Sequence, residues 1–329
     1  MRRLLSRIGF YVVALWASVT INFLLPRLMP GDPAQAFLAG MQGKSVTPQL
    51  LAALRAQFGV TDAPLWQQYL SYLNQLLHGD LGISNTNYPE TVSQILSTSI
   101  PWTVALLGLS VIISFIIGTL LGILVAWRRG TWLDSLLPPI MTFISAIPYF
   151  WMALALVYFL GFILHLFPIG GGFDDMLDVD WTSFDFISSV VSHAILPAFT
   201  IVLGSISGWI LVMRNSMVTT LSEDYVLMAQ AKGLPTRRVI LNYAARNAVL
   251  PSITSFSISL GSIVGGSLLT EVVFNYPGIG YALVTAIGHQ DYSLIEGCFL
   301  VIAITVLAAN LIADVVYTLL DPRVRQERS

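Results

Sequence analysis

Apolar residues run along this chain in long stretches separated by short charged segments. Six of the stretches without Asp, Glu, Lys or Arg are read as span candidates: 8–26, 91–127, 135–173, 186–213, 247–270 and 297–313, with lengths of 19, 37, 39, 28, 24 and 17 residues. A helix needs about 20 apolar residues to cross a bilayer core, with a common range of about 17–25. With their ends adjusted, the windows predict spans at 8–29, 101–127, 136–164, 194–214, 249–270 and 294–318. Helices follow from the lengths, because a spanning strand needs only about 9–11 alternating residues. One such window is compatible with a buried soluble helix, but six in one chain point to the bilayer. The expected fold class is an all-α integral membrane protein with six transmembrane helices.

Shorter periodic stretches lie between the spans. In the long loop 30–99, Leu50, Leu54 and Phe58 recur every four residues behind Thr47 and Pro48, an N-cap followed by Pro at N1. A second stretch carries Trp66, Tyr69, Leu70, Leu73, Leu76 and Leu77 before Gly79. Both read as amphipathic helices, either on the membrane surface or in a small packed subdomain. Pro148 breaks the third span and is a candidate for lining a path or for a simple kink. The expected division is 1–99 (first helix and long outer loop), 100–320 (five further helices) and a tail at 321–329. The first helix is expected to be a retained anchor, since its apolar run exceeds the usual h-region of a signal peptide.

Charge supplies the orientation. Only 10% of residues are charged and the net charge is −2, which excludes an ordinary soluble surface and a basic nucleic-acid face. With the N-terminus inside, 13 Lys and Arg fall inside and 3 outside, while 6 acids fall inside and 12 outside. The inner face is then 13 − 6 = +7 and the outer face 3 − 12 = −9, the positive-inside arrangement with both termini cytoplasmic. The lone Cys298 excludes an intrachain disulfide or a cysteine metal cluster. The four histidines lack metal-ligand spacing, and no phosphate-cradling glycine loop is present, so no metal and no cofactor are expected on this chain. The loop 165–193 holds Asp174, Asp175, Asp178, Asp180 and Asp185 with no basic residue, the pattern of a solvated acidic loop or a site for a cation or basic partner.

The inner loop 215–248 is the most informative. Ser222 is a candidate N-cap, Glu223 and Asp224 suit a first helical turn, Lys232 suits the last, and Gly233 with Pro235 stops the helix. About ten residues result, near 15 Å long and too polar to span. Tyr225, Met228, Ala229 and Lys232 fall on one face, with small Ala229 allowing close approach to a partner groove. Small-xxx-small pairs at Gly118/Gly122, Gly204/Gly208 and Gly261/Gly265 predict close helix packing within the chain.

The run Glu223-Asp224-Tyr225-Val226, Ala229, Ala231-Lys232-Gly233-Leu234, followed by Arg246-Asn247-Ala248 and Leu250-Pro251, resembles the permease signature of ABC importers. The spacing resembles the oligopeptide, dipeptide and nickel branch. Further matching pieces are Met29–Pro33, Gly79–Ser84, Glu271–Gly280, Asp291-Tyr292 and Asp321–Arg323, so the resemblance covers nearly the whole chain in order. It implies a type I ABC importer permease in a bacterial inner membrane. It also implies pairing with a second homologous permease, two cytoplasmic ATPase subunits that hold ATP and Mg, and an extracytoplasmic solute-binding protein. Glu223, Asp224, Tyr225, Ala229, Ala231, Lys232, Gly233 and Leu234 would form the helix that couples to the ATPase. Glu271, Pro277, Gly278 and Gly280 would lie near the outer gate. Peptides are the expected substrate. Oligosaccharides, nickel, or a secondary-transport mechanism are the alternatives.

Overall fold

The computed structural model describes residues 2–29, 33–40, 47–58, 63–261 and 268–320. The first five helices are α1 (Arg2–Leu28), α2 (Pro33–Gly40), α3 (Pro48–Gln57), α4 (Leu65–Leu77) and α5 (Val92–Trp127). Next come α6 (Trp132–Ser145), α7 (Tyr149–Leu156, continued by a π-helical stretch Val157–Ile163), α8 (Phe184–Leu221) and α9 (Asp224–Ala231). Two short helices, α10 (Thr236–Arg238) and α11 (Arg246–Ala248), flank a second π-helical stretch, Val239–Ala245. The last four are α12 (Leu250–Gly261), α13 (Leu268–Val273), α14 (Ile279–Gly288) and α15 (Tyr292–Leu320). Among the described residues the only β pairing is one isolated bridge, Ile83 to Thr91.

Among the described residues, four helical segments are long and apolar enough to cross a membrane: Gly9–Leu28, Val92–Trp127, Phe184–Leu221 and Tyr292–Ile312. The predicted third span is not one straight helix. Its halves, Trp132–Ser145 and Tyr149–Ile163, meet at 96°. Pro148 causes the break as expected: it has no N–H to donate, and at φ −57°, ψ 138° it sits as the extended N-cap of α7. The predicted fifth span has α12 and α13 at its ends, and 262–267 between them lie outside the described residues, as does the tail 321–329.

α5 and α8 overrun their predicted spans, at 36 and 38 residues. The extra turns are polar, and their hydroxyls are absorbed by the helix itself. Ser97 donates to Gln94 O at 2.7 Å, and Ser192 donates to Ser189 O at 2.8 Å. Such back-bonding removes the cost of a polar side chain without ending the helix.

The chain forms two compact units, one from Met1–Thr103 with Pro277–Ala308 and the other from Val104–Tyr276 with Ala309–Ser329. In the first, α4 is stapled along α1. Thr20 Oγ1 and Tyr69 OH lie 2.7 Å apart, Asn22 Nδ2 donates to Tyr72 OH at 3.3 Å, and Arg27 Nε donates to Gln68 Oε1 at 3.2 Å. Val19, Phe23 and Tyr72 bury together, with Leu73 and Leu76 against them. Arg27 also pairs with Glu296 on α15. The expected helices of the long loop therefore form, and their inner faces are packed. Leu54 and Phe58 of the first bury against Ala34 and Leu38. Thr47 caps it as predicted, its Oγ1 accepting from Leu50 N at 3.3 Å.

In the second unit α5 and α8 approach closely. A Cβ on Gly118 would lie 2.5 Å from Trp209 Cβ, and one on Gly122 would lie 2.7 Å from Met213 Cβ and 2.8 Å from Ile210 O. Real Cβ atoms cannot approach that closely, so these glycines set the helix separation. Gly204 accommodates the Tyr149 ring, whereas Gly208 has nothing nearby, and Gly265 lies outside the described residues.

Candidate functional site

The short helix of the loop expected on the inner face is α9. Its N-cap is Glu223, at φ −73° and ψ 144°, whose carbonyl accepts from Val226 N at 2.9 Å and Leu227 N at 3.1 Å. Ser222 is not the cap that the sequence suggests. It closes α8, its Oγ donating to Thr219 O at 2.7 Å. The reason is continuity: α8 runs to Leu221, so Ser222 is already used as the end of that helix.

The far end of α9 is a Schellman cap. Gly233 takes φ +74°, its N–H donates to Gln230 O at 2.9 Å, and Leu234 N donates back to Ala229 O at 3.4 Å. Leu234 then folds onto the same apolar cluster that receives Ala229. An added Cβ at Gly233 would meet nothing within 4 Å, so the left-handed backbone, not space, explains this glycine.

α9 is held from one side. Val226 and Ala229 are buried with Ala126, Met213, Met217, Val239, Ile240 and Ala244. Ala229 therefore does not face outward with Tyr225, Met228 and Lys232, as the helical spacing suggests. It is 3% exposed and forms the contact with the chain's own core. Its small side chain brings α9 close to α8 and the π-helical stretch. The outward face carries Tyr225, Met228 and Lys232, with Glu223, Asp224, Ala231 and Gly233 also exposed. Met228 is 59% exposed. Asn247 Nδ2 donates to Tyr225 OH at 2.8 Å, tying the two halves of the signature run together across the surface. A cavity of about 390 Å³ opens beside α9, lined by Trp127, Gln230, Leu234 and Thr236 among others.

An ion pair braces the same unit. Arg214 of α8 donates to Asp134 Oδ1 from Nε at 2.8 Å and from Nη2 at 2.5 Å, and Gly130 N donates to Asp134 Oδ2 at 3.1 Å. The predicted span 194–214 ends at Arg214, and nothing in its spacing identifies Asp134 as the partner.

The residues expected near an outer gate do not form one described group. Glu271 is buried on α13 in the second unit, and Pro277, Gly278 and Gly280 belong to the first. Beside Glu271, Tyr276 N donates to Glu271 O at 2.8 Å. Burial, and then the Glu271 carboxyl, push the Tyr276 phenol up to about 12. Gly171 N donates to Phe274 O at 2.8 Å, fastening the start of the acidic loop to this segment. In the first unit, Ile279 N donates to Thr103 Oγ1 at 2.8 Å and fixes the Pro277–Gly278 turn on α5.

Two pieces that the sequence shows far apart are joined. Asp291 Oδ2 accepts from Ser84 Oγ at 2.5 Å and from Thr86 N at 3.0 Å, while Oδ1 accepts from Leu294 N at 3.1 Å. Asp291 is thus both the cap of α15 and the anchor of the Gly79–Ser84 segment. In the acidic loop, Asp174 Oδ1 accepts from Met176 N at 3.0 Å and Asp180 Oδ1 from Thr182 N at 2.9 Å. These carboxylates serve as turn caps. Among the described residues, no three His, Cys, Asp or Glu side chains come together in a metal-ligating group.

Comparison with known proteins decides what this arrangement belongs to. Residues 118–326 match the binding-protein-dependent transport system inner membrane component family, and residues 1–107 match the N-terminal part described for such membrane components. The chain belongs to this family. It is similar to the di/tripeptide transport system permease protein DppB of Pseudomonas aeruginosa, at 34% identity covering 98% of each chain. It is also similar to the dipeptide transport system permease protein DppB of Escherichia coli, at 33% identity covering 99% of each. The protein is therefore a multi-pass permease component of the bacterial inner membrane and not an enzyme. As a family member it works within a transport system that depends on a binding protein.

Proposed function

We propose that this chain is one of two permease subunits of an ATP-driven importer of short peptides. The observation that carries the reading is the end-to-end similarity to dipeptide and di/tripeptide permeases, which spans 98–99% of the chain. In this reading the chain crosses the membrane six times with both termini in the cytoplasm, the bent α6–α7 pair serving as one crossing and α12 with α13 as another. ATP and Mg are held by two separate ATPase subunits, and an extracytoplasmic binding protein delivers the peptide.

In this reading α9 is the coupling helix. Three features suit it for that role. It is capped at both ends by backbone geometry, it is seated on a buried apolar cluster, and it shows a free face of Tyr225, Met228 and Lys232. A push on that face is transmitted to α8 through Val226 and Ala229 because packed interiors resist compression. Closure of the ATPases would then rock the spans between inward-open and outward-open states. Pro148 and the Pro277–Gly278 turn supply non-helical backbone where a path or gate needs it, with Gly280 in the first turn of α14 and Glu271 close by in sequence.

The test is Gly233→Asp in the complete importer. Conformationally, Asp tolerates a left-handed backbone better than most residues, so the chain still inserts. The new charge lies at the end of the coupling face, and uptake of labelled dipeptide is expected to be lost. Normal uptake by this variant would remove the coupling role from α9.

A further inference from the structure

A cavity of about 230 Å³ lies in the first unit, on the side that the charge distribution places outside. Its lining includes Asn87, Glu90, Thr98, Trp102, Pro277 and Tyr281. Four elements build it: the loop 82–91, the first turns of α5, the Pro277 turn leading into α14, and Leu294 at the start of α15. Each is fixed to the others by bonds described above. Asp291 clamps Ser84 and Thr86, Asn87 N donates to Ser84 Oγ at 3.1 Å, and Thr103 holds Ile279 N. The loop closes on itself through Ser84 N to Glu90 O at 3.1 Å and Val92 N to Gly82 O at 3.1 Å. The walls are therefore organised before any ligand arrives.

The chemistry of the lining is selective. Among the described residues that line it, Glu90 is the one that carries a formal charge, and none is Lys or Arg. Trp102 and Tyr281 contribute aromatic faces, which attract cations through the ring quadrupole. Thr98 Oγ1, which donates to Ile95 O at 2.8 Å, is left as an acceptor, and Asn87 adds an amide. Such a cavity favours a compact cation that carries hydrogen-bonding groups and a short apolar part, and it disfavours a free carboxylate. We propose that it is a subsite for the amino-terminal end of a short peptide, with Glu90 facing the ammonium group and Trp102 and Tyr281 flanking it. This rests on the peptide-import reading above. It adds that the permease itself recognises one end of the solute, so that peptides enter amine-first.

The test uses the complete transporter in nanodiscs without its binding protein, probed by saturation-transfer NMR with dialanine and N-acetyl-dialanine. Dialanine is expected to bind, and N-acetyl-dialanine to bind more weakly. Glu90→Gln is expected to weaken dialanine about fivefold, the scale of one solvent-accessible charge pair, and to leave the acetylated probe unchanged. Tyr281→Leu, at a site 36% exposed and so tolerant of change, is expected to weaken dialanine as well. Equal dialanine binding by wild type and Glu90→Gln, or equal binding of both probes, overturns the subsite. So does a Glu90→Gln effect confined to affinity for the binding protein, which would make the cavity a docking socket. If dialanine binds as described but the loaded transporter imports no peptide, the subsite stands and the import reading fails.

Discussion

Which side of α9 meets the ATPase can be decided by two neighbouring substitutions. Ala229→Leu adds three carbons inside a cluster already filled by Met213, Met217 and Val226, all 0% exposed. Overpacking of this kind costs about 1–3 kcal/mol. Met228→Glu changes a side chain that is 59% exposed and touches little of the chain itself. Complete burial of a Met contributes about 1.5–3 kcal/mol. The open part of Met228 can therefore give a partner about 1–2 kcal/mol, or roughly 5- to 30-fold in association. The assay is paired: scanning fluorimetry of the purified permease pair, and titration of the ATPase subunits onto that pair in nanodiscs. Ala229→Leu should lower the melting temperature. Met228→Glu should leave melting unchanged and weaken ATPase association. The reverse pattern, with Ala229→Leu stable but defective in association and Met228→Glu silent, would restore the outward Ala229 of the helical-wheel reading and refute the packing described here.

Other outcomes follow from the same geometry. Gly122→Ala places a methyl group within 2.8 Å of Ile210 O and should cost about 1–3 kcal/mol, measured as a lowered melting temperature, whereas Gly208→Ala, with open space, should be nearly neutral. Asp291→Ala leaves Ser84, Thr86 and Leu294 without their common acceptor and should destabilise the first unit by about 1–3 kcal/mol, seen as faster amide exchange in 82–91. Asn247→Ala frees the Tyr225 hydroxyl at an exposed site and should change melting by less than about 1 kcal/mol while altering ATPase affinity.

Much of this was legible in the sequence, where local physics decides the outcome. Uncharged windows located the long helices, because the bilayer penalises every charge. Gly233 followed by Pro235 marked the end of α9, because a Schellman cap needs a left-handed residue. Thr47 and Pro48 marked the start of α3 for the same kind of local reason. Tertiary choices were not legible. Periodicity put Ala229 on a face with Tyr225, Met228 and Lys232, but those positions span a wide arc, and only the cluster around Met213 decides which edge is buried. Ser222 looked like a cap because Ser, Glu and Asp stand in order, yet α8 reaches it first. The extra turns of α5 and α8 were hidden because hydroxyl residues read as loop until they bond back to their own helix. The Asp291–Ser84 and Asp134–Arg214 pairs join residues 207 and 80 positions apart, and no single-sequence pattern specifies such partners.

In the proposed reading this permease works in an ATP-driven peptide importer. Its most direct test is uptake of labelled dipeptide into proteoliposomes that contain this chain, its partner permease and both ATPases, with the binding protein outside and ATP enclosed. Uptake is expected to require both ATP and the binding protein and to be indifferent to collapse of ion gradients. Uptake that persists without the ATPases and disappears with the ion gradient would contradict it.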